Sequence, residues 1–182
     1  MDTTEHYRRV ADDFGRVVDG VSDWTAGTPC EEWDARRLAT HVVDTHRRVL
    51  ARLDGSEAPV LGPDADPRAE WSRVRADLEQ ALRDHGDQEV DSFGSQAPFS
   101  TVVDTLLCAD TLLHTWDLAR ATGQDETLDL ASVSKAHAFL TPLGDMMRQP
   151  GGFGPAVTLG DDASAQEQLL AFAGREPRAA TS

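Results

Sequence analysis

Cysteine is scarce: Cys30 and Cys108 are the only two in 182 residues, and neither belongs to a CxxC pair. They cannot build a disulfide framework, and both are expected as free thiols without a basic neighbour at helical spacing to activate them. Basic residues are also short. The 17 Lys and Arg face 32 Asp and Glu, for a net charge of −15 and no cluster of positive side chains. Such a chain is unsuited to a phosphate backbone or an anionic membrane surface, so no nucleic-acid partner is expected. Long apolar runs are missing too. None approaches the roughly 20 residues that span a bilayer, and the start, MDTTEHYRRV, lacks a signal-peptide core. A cytoplasmic protein without a membrane partner is the expectation.

No GxSxG, HExxH or Walker-type motif occurs, and no stretch reads as paired strands. Gly151-Gly152-Phe153-Gly154 follows a helix rather than a strand, so it is not a phosphate loop. Aromatics make up 6%, yet hydrophobic residues reach 40%, the composition of an ordinary globular chain. Its length suits one domain, residues 1–182.

What is present is helical periodicity. Tyr7, Val10, Phe14, Val17 and Val21 recur at three- and four-residue steps and share one face. After a loop carrying Trp24, Cys30 and Trp33, Asp34 can cap a second helix with the stripe Leu38, Val42, Val49 and Leu53, ended by Gly55. Asp66-Pro67 opens a third helix, with Trp71, Val74, Leu78, Ala81 and Leu82 on its stripe. Ser100 can cap a fourth, in which Val103, Leu106, Leu107 and Leu113 face one way before Gly123 closes it. A fifth runs from about Leu128 to Met147. The last part, from about 150 to 182, reads as a wrapping tail with a short helix around Leu169, Leu170 and Phe172. The pattern predicts an all-α four-helix bundle with long crossover connections.

Polar groups interrupt the apolar faces. Asp110 and His114 are four residues apart, on the buried edge of the fourth helix, and Asp117 follows three residues on. A carboxylate there needs a partner, a proton or a metal. His41 lies beside the core stripe of the second helix, whereas His46, about 140° further round, is expected to point elsewhere. Together His41, Asp110 and His114 form an N,N,O set that suits zinc, nickel or iron inside a bundle. An internal Asp–His pair that fixes helix register satisfies the same spacing. His6, His85 and His137 read as structural or solvated.

Two motifs add a resemblance. The stretch Pro29-Cys30-Glu31-Glu32-Trp33-Asp34-Ala35-Arg36-Arg37-Leu38-Ala39-Thr40-His41-Val42-Val43 resembles the entry to helix two in the mycothiol-dependent maleylpyruvate isomerase N-terminal family, one of the DinB-like metal-binding bundles. The run from Asp110 to Gln124 is similar to that family's helix-four motif. The tail around Phe153-Gly154-Pro155 and Gly174-Arg175 resembles short actinobacterial-type members. The resemblance implies a DinB-like fold with an extra C-terminal helix, and a divalent metal, zinc or nickel, on His41, Asp110 and His114. The isomerase has a glutamate where Asp110 stands. It also implies mycothiol as co-substrate, activated for transfer to a small-molecule electrophile. Asp117 would then orient a histidine or act as a structural cap. The full isomerase has a second domain, which a chain ending at Ser182 is expected to lack along with isomerase activity. Two other readings use the same residues: hydrolysis by metal-bound water, or a non-catalytic bundle, homodimeric in one form.

Overall fold

A computed structural model describes residues 2–30, 33–62, 64–148 and 153–177. Glu31, Glu32, Gly151 and Gly152 of the motifs above, and residues 178–182 of the tail, lie outside the described residues. The first three helices follow their capping signals. α1 spans Thr3–Gly20, α2 Ala35–Ala51 and α3 Pro67–His85. Asp2, Asp34 and Asp66 each accept a hydrogen bond from a first-turn backbone N–H, so one orphan donor per helix is satisfied.

α1 packs against α3 and the fourth helix, and α2 packs against the same two. α1 and α2 therefore occupy opposite corners of the four-helix arrangement. The connections that cross the bundle therefore follow α1 and α3.

The long connection after α3 contains a hairpin, which corrects the expectation of no paired strands. β1, Glu89–Ser92, pairs antiparallel with β2, Ser95–Pro98, around Phe93-Gly94. Both turn residues have positive φ, 53° and 79°, as a two-residue hairpin turn demands. Only Val90 in these strands is buried, so they carry almost no apolar alternation to betray them. The hairpin also displaces the expected Ser100 cap. The next helix starts at Phe99, and its first N–H groups are taken by backbone instead: Phe99 N–H donates to Gln88 O at 2.8 Å and Ser100 N–H to Gly86 O at 2.9 Å.

That helix is continuous but not uniform. α4, Phe99–Val102, passes into a π-helical segment, Val103–Leu107, and then into α5, Cys108–Ala121. The π segment changes the register of its faces, and Leu106 is only partly buried although the regular period places it on the stripe. α5 is the central helix. Every residue from Thr111 to Ala119 is buried, by α1, α2 and an outer helix, Leu130–Leu140, so this helix is enclosed all round rather than on one side. A buried-edge cluster joins these elements: Asp104 accepts from His6 Nδ1 at 2.8 Å and Lys135 Nζ at 2.7 Å. His6 is thus a buried structural residue.

α6 covers Leu130–Leu140, capped by Asp129, and continues as a 3₁₀ segment, Thr141–Met147. The single fifth helix expected from Leu128 to Met147 is therefore shorter. Pro142 has no N–H for an α-helical ladder, and Gly144 leaves helical geometry at φ 47°. α7, Ala165–Phe172, is the short tail helix, held by a capping box of Ser164 and Glu167. It packs on α6, and Leu169 and Leu170 complete the core.

His46 lies wholly inside this core, between the rings of Tyr7 and Trp71 at 5.9 and 4.9 Å. Burial pushes its pKa down from 6.5 to about 4, against smaller opposing effects of the Val42 carbonyl and the Asp110 carboxylate. The unfolded chain binds this proton more readily, so the stabilisation is complete above pH 6.5 and is lost as pH falls toward 4. The gap corresponds to about 3 kcal/mol. Urea unfolding at pH 7 and 4.5 should show that excess acid loss in the wild type and not in His46→Gln; parallel losses would refute it.

Candidate metal centre

Helix geometry sets the site. Asp110 and His114 stand one turn apart on α5, and α2 brings His41 against them. Asp110 Oδ1 lies 3.7 Å from His41 Nε2 and 3.6 Å from His114 Nε2. The two imidazole rings meet edge to face with centroids 5.0 Å apart. One ligand-type atom from each of the three residues falls within 4.8 Å of the others. The structure thus brings together all three sequence-derived candidates. His41 and Asp110 are partly exposed, 29% and 25%, whereas His114 is nearly enclosed, so the cluster sits at the rim of the core with access from one side. The shorter Asp brings one oxygen within 3.7 Å of both nitrogens.

Behind the cluster lies a second layer of contacts. Asp117 is fully buried and accepts from His114 Nδ1 at 3.0 Å. It also accepts from Arg175, whose Nε lies 3.1 Å from Oδ1 and whose Nη2 lies 2.7 Å from Oδ2. Burial alone would raise the Asp117 carboxyl; the Arg175 guanidinium and His114 outweigh it and hold it well below the usual carboxylate range. Burial likewise opposes charge on His114, but Asp110, Asp117 and Cys30 raise its pKa to about 10. Because Nδ1 donates to Asp117, the other nitrogen, Nε2, is the one turned toward Asp110 and His41.

Cys30 joins the same place. Its thiol donates to Asp117 Oδ2 at 3.3 Å, with His114 Nδ1 at 4.0 Å and Arg175 Nη2 at 3.7 Å. Cys30, His114 and Asp117 therefore form another compact group of ligand-type atoms. Arg175 opposes a cation there, which favours the His41–Asp110–His114 face. Trp33 closes one wall, its ring 4.7 Å from His41 and 6.0 Å from His114. The loop that carries Cys30 and Trp33 is pinned by an isolated bridge between Gly27 and Asp34 and by Trp33 N–H donating to Cys30 O at 3.0 Å.

Sequence reasoning left Cys30, Trp33 and Arg175 out of the site. Cys30 has no basic neighbour along its own segment; its cation comes from 145 residues away. Of the roles considered for Asp117, the geometry is that of a histidine orienter. Trp116 packs in the core with Arg120 over its ring at 4.3 Å, and His85 is exposed at the end of α3.

A family model described as the mycothiol maleylpyruvate isomerase N-terminal domain matches residues 7–119, a span that includes His41, Asp110, His114 and Asp117. Two uncharacterized proteins of Mycobacterium tuberculosis, from strains CDC 1551 / Oshkosh and ATCC 25618 / H37Rv, are each 29% identical over 182 residues. Each alignment covers 98% of this chain and 100% of the relative. No solved structure gives a significant match. No helix among the described residues is long and apolar enough to cross a membrane.

Proposed function

Because the chain belongs to the mycothiol maleylpyruvate isomerase N-terminal domain family, we propose that it is a divalent-metal protein that uses a low-molecular-weight thiol, mycothiol in the first instance, in transfer to a small electrophile. The observation that carries this reading is the convergence of His41, Asp110 and His114 at a partly open rim. Two imidazole nitrogens and one carboxylate oxygen suit zinc or nickel and leave positions for a further ligand. A cation held there would favour the thiolate over the thiol near neutral pH.

The chain's own residues have separate tasks in this scheme. His114 is locked by Asp117, so Nε2 keeps one direction while Nδ1 retains its proton. Arg175 fixes Asp117 through two hydrogen bonds and offsets its charge. Trp33 stands over both imidazoles and restricts water on that side. Orientation is therefore supplied by α5 and the tail, and access by the α2 rim.

The test begins with protein purified without a histidine tag. Elemental mass spectrometry, before and after adding Zn²⁺ and Ni²⁺, should find about one metal per chain. The metal-loaded protein should then consume electrophiles only when mycothiol is present. Absence of metal under every condition would reduce the cluster to an internal Asp–His network. Metal without thiol dependence across several electrophile classes would remove the transfer reading and leave hydrolysis or simple binding.

A further inference from the structure

α2 presents its candidate ligand between two arginines. Arg37, His41 and Arg48 follow at steps of four and seven residues, which keeps them within about 40° of one another around the helix. The face that carries His41 to the rim therefore carries both guanidinium groups with it.

Distances tie each of them to the site. Arg48 Nη2 donates to Thr45 Oγ1 at 2.7 Å, and that oxygen lies 3.5 Å from His41 Nε2, the nitrogen nearest Asp110. One hydroxyl thus separates the Arg48 guanidinium from a candidate ligand atom. Toward the other end of the face, the Arg37 guanidinium carbon is 5.6 Å from the centre of the Trp33 ring, which packs on His41 at 4.7 Å.

Neither arginine is spent on an acid. In a chain where 32 carboxylates face 17 basic groups, Arg8, Arg47, Arg75 and Arg120 each pair with Asp or Glu. Among the described residues Arg37 and Arg48 have no such partner, and both are exposed. Asp44 stands one turn before Arg48 but accepts from Leu61 N–H at 3.3 Å. The Thr45 hydroxyl gives its proton to His41 O at 2.9 Å, so toward Arg48 it only accepts. That contact leaves most of the Arg48 fork open, in the planar arrangement that matches a carboxylate. A net charge of −15 repels anions at long range, so an anionic ligand reaching this rim needs local cations of this kind.

We propose that Arg48, assisted by Arg37, forms a carboxylate subsite beside His41, so that the small electrophile of the proposed reaction is one that carries a carboxylate. The assignment of the occupant as substrate rests on that proposed reaction; the subsite itself needs no metal. Arg48 holds the carboxylate, and the rest of the molecule lies along Trp33 toward His41, Asp110 and His114.

Benzoate and its neutral counterpart benzamide are the probes. In ¹H–¹⁵N spectra of metal-free protein, benzoate should move the Arg48 and Arg37 Nε–H signals and bind about tenfold more tightly than benzamide. Arg48→Gln should weaken benzoate about tenfold and leave benzamide unchanged, with a smaller loss for Arg37→Gln. Arg73→Gln, which removes an exposed charge paired with Glu70 on α3, should alter neither probe. Equal affinity for the two probes, or benzoate binding indifferent to Arg48→Gln, overturns the subsite. Inorganic phosphate held more tightly than benzoate through Arg48 overturns the carboxylate assignment. In the mycothiol reaction, kcat/KM for acrylate relative to methyl acrylate should fall about tenfold in Arg48→Gln; an unchanged ratio overturns the substrate class. A chain that takes up no Zn²⁺ but binds benzoate through Arg48 keeps the subsite and loses the metal centre. Benzoate binding that follows Zn²⁺ alone does the reverse.

Discussion

Asp117→Ala is expected to destabilise the protein by about 3–5 kcal/mol, the usual result of removing one partner from a buried ion pair. The carboxylate is fully enclosed and accepts from Arg175 and His114 at 2.7 and 3.0 Å. Its loss leaves a guanidinium and an imidazole facing each other in the core, with Cys30 deprived of its acceptor. Arg175→Ala should cost less, because His114 remains to pair with Asp117. The double variant should be less unstable than the sum of the two single ones, since each removes the same interaction. Urea unfolding of the four proteins, with comparable denaturant slopes, provides the cycle. A loss below about 1 kcal/mol for Asp117→Ala would mean that the pair behaves like an exposed surface bridge.

His41→Ala, Asp110→Ala and His114→Ala are each expected to take bound Zn²⁺ from about one per chain to essentially none at equimolar metal. The loss should exceed the roughly 10–100-fold that follows from removing a residue that merely orients a ligand. His41→Ala is the cleanest of the three, because its side chain is 29% exposed and its removal strands no buried charge. His114→Ala also disconnects Asp117, so its effect on metal must be read beside its stability. Asp110→Glu keeps the ligand type found in the isomerase and should retain binding. Isothermal titration calorimetry measures all four. If His41→Ala and His114→Ala bind Zn²⁺ as the wild type does, the ligand assignment is wrong.

Local signals in the sequence account for much of this molecule. Asp34 and Asp66 cap helices because their side chains reach the first-turn N–H groups, an interaction confined to a few residues. The four-residue step from Asp110 to His114 fixes their shared face for the same reason. What stayed hidden depends on long-range packing. Arg175 reaches Asp117 across 58 residues, and nothing in the periodicity of α5 anticipates a guanidinium from the tail. His46 stands four residues after Val42 and three before Val49, so it shares their core stripe and is buried, against the expectation that it points elsewhere. The hairpin escaped because Phe93 stands at the left-handed position where Asn or Gly would signal the turn.

The π segment at Val103–Leu107 has a consequence for how this chain tolerates changes of length. A regular α-helix turns about 100° per residue, so one amino acid more or less rotates everything beyond it by that angle. Asp104, within the segment, meets α1 and α6 through His6 and Lys135, while Asp110 and His114 meet α2. The wide turn lets one rod serve both sets of neighbours. A one-residue deletion there would spare every side chain of the site and still swing Asp110 and His114 away from His41. Residues 55–60 lie between helices, so a change of length there rotates none of these side chains. Insertions and deletions, rather than substitutions, are therefore the edits to which the centre is most vulnerable from a distance.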